Sequence, residues 1–340
     1  MPIRVAVVGA GSWGTTVAAL ASSNAPTILW ARRPELAEQI NKDHRNGDYL
    51  PDSTLPEELR ATSSLEEAVC DADVLVMGVP SHGMRSTLQA LAPCLRPWVP
   101  VVSLAKGLEG GTHLRMTEVI AAELPGHPTG VLTGPNLARE IMGGQAAATV
   151  VAFSDNHIAA ELQRIFAGEL FRVYTNADVV GCEVAGALKN VMAIASGMAD
   201  GLGAGDNTRA AVITRGLAEM SRLGLAMGGD LLTFSGLAGM GDLVATCISQ
   251  HSRNRYVGEQ LGRGRSTDEI VAEMRMVAEG IKTSAVVVAL GERHGVEMPI
   301  AQEVFQVIHH GRPAAEAYRG LLCRAARSER HGMDQPGAPP

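Results

Sequence analysis

The first half of the chain alternates short apolar runs with stretches of helical period. Ile3 to Val8 is the first such run, of the kind buried on both faces of a parallel sheet. The pattern returns at Thr27 to Trp30, Asp73 to Pro80, Val99 to Leu104, Gly130 to Thr133, Ala147 to Phe153 and Phe171 to Tyr174. Helical periodicity falls between these runs, at Trp13 to Ser23, Leu114 to Glu123 and His157 to Phe166. Strands alternating with helices predict an α/β fold with a doubly wound parallel sheet. After about Val180 the alternation stops. Glu183 to Ala199, Arg209 to Ala226, Arg253 to Gly262, Thr283 to His294 and Pro299 to His309 read as helices, so an all-α C-terminal domain is expected. The expected division is 1–180, 181–330 and a Pro/Gly-rich, disordered tail over 331–340.

The first strand runs straight into Gly9-Ala10-Gly11-Ser12-Trp13-Gly14. Each glycine has a distinct purpose in a dinucleotide-binding turn. Gly9 permits the turn, Gly11 lets a pyrophosphate reach the backbone, and Gly14 lets the next helix pack close to the strand. That helix, from about Trp13, points its positive end at the phosphates, and Ser12 and Trp13 join the glycines as expected cofactor contacts. A glycine loop between an N-terminal strand and a helix makes the sheet Rossmann-type and the ligand a dinucleotide. The second strand is followed by Ala31-Arg32-Arg33-Pro34, with no carboxylate in the place where NAD's ribose would be read. A guanidinium there suits a 2′-phosphate. NADP(H) is therefore the favoured cofactor, read by Arg32 and Arg33. Glu35 follows closely and leaves NAD(H) open.

Composition narrows the class. The chain has 340 residues, which allows two domains, and its 46% hydrophobic and 19% charged residues are those of an ordinary soluble globule. A net charge of −7 gives no global attraction for nucleic acid, so an anionic substrate must be met by local basic residues. Cys70, Cys94, Cys182, Cys247 and Cys323 are scattered and odd in number, which reads as reduced thiols in a cytoplasmic protein with no metal site. The apolar run at the start is too short for a membrane span, so no membrane insertion is expected.

Three further segments carry candidate chemistry. Glu183 to Gly197 is apolar nearly all round, the mark of a buried helix, except at Lys189 and Asn190. A lysine there needs a partner, and suits proton transfer. Gly239-Met240-Gly241-Asp242 leads on to Ser252-Arg253-Asn254, consecutive donors opening a helix, an arrangement that can hold a phosphate. In the first half, Lys106 follows one strand and Gly134-Pro135-Asn136 another, with Pro135 expected in the first turn of a helix.

Taken together, GAGSWGT, SLAKGL, GPNLARE, ALKN, GDLVATC with HSRNRYVG, and VAEGIKT resemble the bacterial NAD(P)-dependent glycerol-3-phosphate dehydrogenases, in the family's order and over nearly the whole chain. The resemblance implies interconversion of dihydroxyacetone phosphate and sn-glycerol 3-phosphate, supplying phospholipid synthesis. It implies cofactor contacts at Ser12, Trp13, Arg32, Lys106, Ala138, Arg253, Val277 and Glu279. Substrate contacts follow at Lys106, Gly134, Asn136, Asp242, Ser252, Arg253 and Asn254, with Lys189 as acid/base and Lys106 and Asp242 beside it in the catalytic set. A homodimer is expected. A related dehydrogenase of a hydroxy acid or sugar acid, a non-catalytic NADPH sensor and a structural paralogue that binds a protein partner stand as alternatives. The AKG and SRN segments, Lys189 and Asp242 argue against them.

Overall fold

The computed structural model describes residues 2–274 and 278–323. Two compact units make up the chain, one from the stretch up to Glu109 together with Leu114–Val179, the other from Gly110–His113 and the chain from Val180 onward. Val277 and the segment 331–340 lie outside the described residues.

The first unit is built on eight strands: β1 (Val5–Val8), β2 (Thr27–Trp30), β3 (Arg60–Thr62), β4 (Val74–Met77), β5 (Val101–Ser103), β6 (Thr129–Thr133), β7 (Ala147–Phe153) and β8 (Phe171–Asn176). They form one sheet in the order β3-β2-β1-β4-β5-β6-β7-β8. Its helices are α1 (Ser12–Ser22), α2 (Pro34–Asp43), α3 (Leu65–Val69), α4 (Met84–Leu91), α5 (Met116–Glu123), α6 (Ala138–Met142) and α7 (Asn156–Phe166). Alternation along β1 shows why the sheet needs two helical layers. Val5 and Val7 join one core with Val17, Leu29, Ile40 and Phe166, whereas Ala6 and Val8 join another with Leu75, Met84, Leu88 and Val119. Completely buried strands of this kind stabilise the unit by roughly 25 cal/mol per Å² of apolar surface removed from water.

Two expectations about the sheet are corrected. It is not wholly parallel, because β7 runs antiparallel to β6, with Val131 opposite Ala152. The connection between them carries only the five-residue α6, too little helix for a full crossover. β3 was not expected at all. It is three residues long and begins on exposed Arg60, so it carries no readable alternation. α6 starts at Ala138, so Pro135 precedes that helix rather than sitting in its first turn.

The described elements of the second unit are all helical: α8 (Val179–Gly201), α9 (Asp206–Ala226), α10 (Leu231–Ser235), α11 (Asp242–Ile248), α12 (Arg253–Gly262), α13 (Thr267–Glu273), α14 (Glu279–His294), α15 (Pro299–His310) and α16 (Ala314–Leu322). A π-helical turn, Leu237–Gly241, runs directly into α11. α8 is long and apolar enough to cross a membrane, but 89% of its most apolar window is buried inside the protein, so it is a core helix. Glycines let α12 lie against α8 at backbone distance. A Cβ at Gly258 would sit 2.0 Å from the Ile194 carbonyl oxygen, and one at Gly197 2.0 Å from that of Arg255. Asp200, near the end of α8, takes Arg255 of α12 at 2.7 Å and Arg209 of α9 at 2.9 Å, which fixes the register of all three helices.

Candidate active site

The glycine loop leaves β1 with Gly9 at φ +122°, a conformation that other residues rarely adopt. A Cβ on Gly9 would lie 2.7 Å from the Gly78 backbone, and one on Gly14 would lie 2.0 Å from the Gly9 carbonyl oxygen. A Cβ on Gly11 would meet nothing within 4 Å. Two glycines are thus required by packing, and the third leaves the backbone open where a pyrophosphate would approach. Gly11 is the N-cap of α1 without a side-chain cap, so the first amides of that helix have no side-chain acceptor at the cap. Trp13 Nε1 is buried with no hydrogen-bond partner, a donor that an incoming oxygen would satisfy. These features fit a dinucleotide.

At the end of β2, Arg32 is exposed, and among the described residues it has no ion-pair partner. Arg33 differs, because its guanidinium is paired with Asp48. That carboxylate holds the Arg33 pKa above its usual value through a hydrogen bond first and charge second. Asp48 comes from the segment after α2, fifteen positions along the chain.

Lys106 follows β5 and donates from Nζ to the Gly134 carbonyl oxygen at 2.7 Å. Gly134 has φ +143°, a conformation that side chains rarely adopt, and a Cβ there would lie 3.2 Å from Thr149 Cα, a tight contact. Asn136 Nδ2 donates to Thr149 Oγ1 at 2.8 Å, and that hydroxyl donates to the Thr133 carbonyl at 2.9 Å. Asn136 Oδ1 is buried with no partner. The two loops after β5 and β6 are therefore tied together, with one amide oxygen unused. Ala138 opens α6 next to them.

In the second unit, Lys189 lies within α8 and is only 6% exposed. Its ammonium donates to Asp242 Oδ1 at 2.9 Å and to Thr246 Oγ1 at 2.7 Å. Asp242 starts α11, and Thr246 lies one turn further along the same helix, its hydroxyl 2.6 Å from the Asp242 carbonyl oxygen. Two of the three Nζ donors are used in this way, and the third is left for another acceptor. Thr246 was not singled out from sequence. Its i, i+4 spacing from Asp242 on a helix start is the signal that could have found it. Cys247, the next residue, is wholly buried, and loss of water pushes its thiol up to about 12 despite the nearby Lys189 charge. It is a neutral thiol at ordinary pH.

Ser252 caps α12, its hydroxyl accepting from the Arg255 amide at 3.2 Å, so Arg253 and Asn254 occupy the first turn. Arg253 keeps solvent-accessible surface, yet loss of water lowers its pKa, with Glu279 at the start of α14 acting in the opposite sense. An exposed guanidinium in the first turn of a helix is suited to an anionic ligand. Asn254 is tied on both sides, its Nδ2 donating to Asn190 Oδ1 at 2.9 Å and its Oδ1 accepting from the Gly280 amide at 3.0 Å. Lys189, Asp242 and Thr246 therefore form one cluster on α8 and α11, and Arg253, Asn254, Asn190 and Glu279 an adjoining one on α12, α8 and α14, with α8 shared by both.

Comparison with known proteins gives these clusters a family. Residues 4–159 match the model of the NAD-dependent glycerol-3-phosphate dehydrogenase N-terminus, and residues 178–319 that of its C-terminus. The chain is 59% identical over 331 residues to glycerol-3-phosphate dehydrogenase [NAD(P)+] 2 of Sphingopyxis alaskensis, covering 97% of this chain and 99% of that one. It is 56% identical to glycerol-3-phosphate dehydrogenase [NAD(P)+] of Mycobacterium avium, over 97% of each chain. The crystal structure of glycerol-3-phosphate dehydrogenase from Coxiella burnetii matches with a TM-score of 0.90 at 35% identity, over 95% of this chain and 99% of that one. The chain belongs to the NAD-dependent glycerol-3-phosphate dehydrogenase family.

Proposed function

We propose that the protein reduces dihydroxyacetone phosphate to sn-glycerol 3-phosphate, reversibly, with NADP(H) or NAD(H), and that Lys189 is its acid/base. The observation that carries this reading is the buried Lys189 held by Asp242 and Thr246 with one donor to spare. In the first unit, Gly9, Gly11, Ser12, Trp13, Gly14, Arg32 and Ala138 would hold the cofactor, which when bound supplies the hydride. Lys106, Gly134 and Asn136 supply the polar groups of that unit.

The proton chemistry belongs to the second unit. As an ammonium, Lys189 directs its remaining N–H at the substrate's ketone oxygen, stabilises the charge that develops there and gives up its proton from Nζ. In the oxidative direction neutral Lys189 takes the hydroxyl proton. Asp242 and Thr246 fix Nζ, so no reorganisation is needed at the moment of transfer. Arg253, Asn254 and Ser252 receive the phosphate at the start of α12, and the positioning they provide accounts for much of the rate. The reading extends to a homodimer working in the cytoplasm and supplying the glycerol backbone of phospholipids, supported by the family resemblance.

The test is a substrate panel with the purified protein, in which dihydroxyacetone phosphate should outpace hydroxy-acid and sugar-acid substrates. Turnover confined to one of those would overturn the assignment. Light scattering checks the dimer.

A further inference from the structure

Directly after β2 the chain runs Ala31-Arg32-Arg33-Pro34, with no carboxylate among these four residues. The fold delivers one from elsewhere. The segment 46–50 folds back beside the glycine loop, anchored by Asn46. That side chain is completely buried, and its Nδ2 donates to the Ala10 carbonyl at 3.0 Å and to Thr15 Oγ1 at 2.8 Å. Asn46 Oδ1 accepts from the Tyr49 amide at 3.3 Å, and the Asn46 carbonyl accepts from the Leu50 amide at 2.8 Å, with Leu50 itself buried. Asp48 sits between these anchors and is ion-paired with Arg33. Its place is therefore set by the same loop that would bind the pyrophosphate. Arg32, one residue earlier, has no such restraint among the described residues.

We propose that Asp48 sets the balance between NADPH and NADH by holding Arg33 in an ion pair, so that Arg32 alone is free to meet a 2′-phosphate. This rests on the reading of the first unit as the cofactor-binding part. With Arg33 neutralised, the site offers one net positive charge at β2 instead of two. The dianionic 2′-phosphate then gains less over a 2′-hydroxyl than the Arg32-Arg33 sequence suggests, and NADH stays a usable cofactor. Removing the carboxylate frees the second guanidinium for charge-assisted contact with the phosphate. Asp48 and Arg33 are both about half exposed, so their substitution leaves the core intact.

The test is direct titration of NADPH and NADH, followed by nicotinamide fluorescence, with no substrate present. Wild type, Asp48→Asn, Arg33→Ala and the double variant are compared. Asp48→Asn should raise the ratio of NADPH to NADH affinity by about fivefold, the scale of one exposed ion pair. The double variant, which lacks both members of the pair, should return to within about twofold of wild type. An Asp48→Asn ratio equal to that of wild type or of the double variant would overturn the proposal. Cofactor binding is read without turnover, so failure of the substrate assignment would leave this result standing.

Discussion

Asn254 on α12 is joined to Asn190 on α8 by a hydrogen bond of 2.9 Å, and those two residues directly follow Arg253 and Lys189 in the chain. One buried amide pair thus ties the proposed phosphate receiver to the proposed proton donor. Asn254→Asp would place a carboxylate oxygen where Nδ2 now donates, against the acceptor Oδ1 of Asn190. It should lower stability by about 1–3 kcal/mol and reduce kcat. Denaturant titration and steady-state kinetics on the same preparation check both parts.

Arg253→Ala should act differently. Loss of a charge-assisted contact to phosphate should raise KM for dihydroxyacetone phosphate by roughly ten- to a hundredfold, with a smaller effect on kcat. An unchanged KM would move the phosphate site away from α12.

Thr246→Val keeps the shape of the side chain but removes the acceptor for Lys189 Nζ and the donor to the Asp242 carbonyl. The expected loss is about 1–3 kcal/mol of stability together with lower kcat. Thr246→Ser should restore most of both. Equal loss in the two variants would show that the hydroxyl is not what matters.

The α8–α12 contact depends on absent side chains. Gly258→Ala would drive a methyl group to 2.0 Å from the Ile194 carbonyl oxygen. About 1–3 kcal/mol of stability should be lost, with the thermal midpoint falling accordingly. Gly11→Ala, where a Cβ meets open space, should leave the midpoint nearly unchanged and weaken cofactor binding.

Cys247 gives a pH prediction. Its folded pKa, about 12, is raised above the ordinary thiol value of 9.0 by burial. The stability it contributes is fully present below about pH 9 and is lost as pH rises toward 12. Between those values the difference in unfolding free energy between wild type and Cys247→Ala should narrow or reverse. A constant difference would contradict the assignment. Exposed Cys70 and Cys323 should react with thiol reagents in the native state while Cys247 does not.

What could be read from the sequence follows from what each feature depends on. β1 and the glycine loop are local, since a continuous apolar run and three glycines carry their own geometry, and the helix opened by Ser252 is signalled by its cap. Lys189 stands out because it interrupts an apolar helix. Its partner Asp242 was visible as a motif, but Thr246 was not, because its importance lies in a contact across fifty-seven positions. The antiparallel β7 and the short β3 depend on pairing between distant strands rather than on their own residues. Asp48 shows the same limit at the site. Only the folding back of 46–50, held by buried Asn46, brings it to Arg33.

The central claim is that Lys189 handles the proton in dihydroxyacetone phosphate reduction. The decisive measurement is NADPH oxidation on adding that substrate, in wild type and Lys189→Ala, with cofactor titration and a melting curve on each. The account predicts turnover in wild type and a fall of about 100- to 10,000-fold in the variant, with NADPH affinity nearly unchanged. The melting point should also drop, since Asp242 is left buried without its cation. Near wild-type turnover in a folded Lys189→Ala protein would contradict the account.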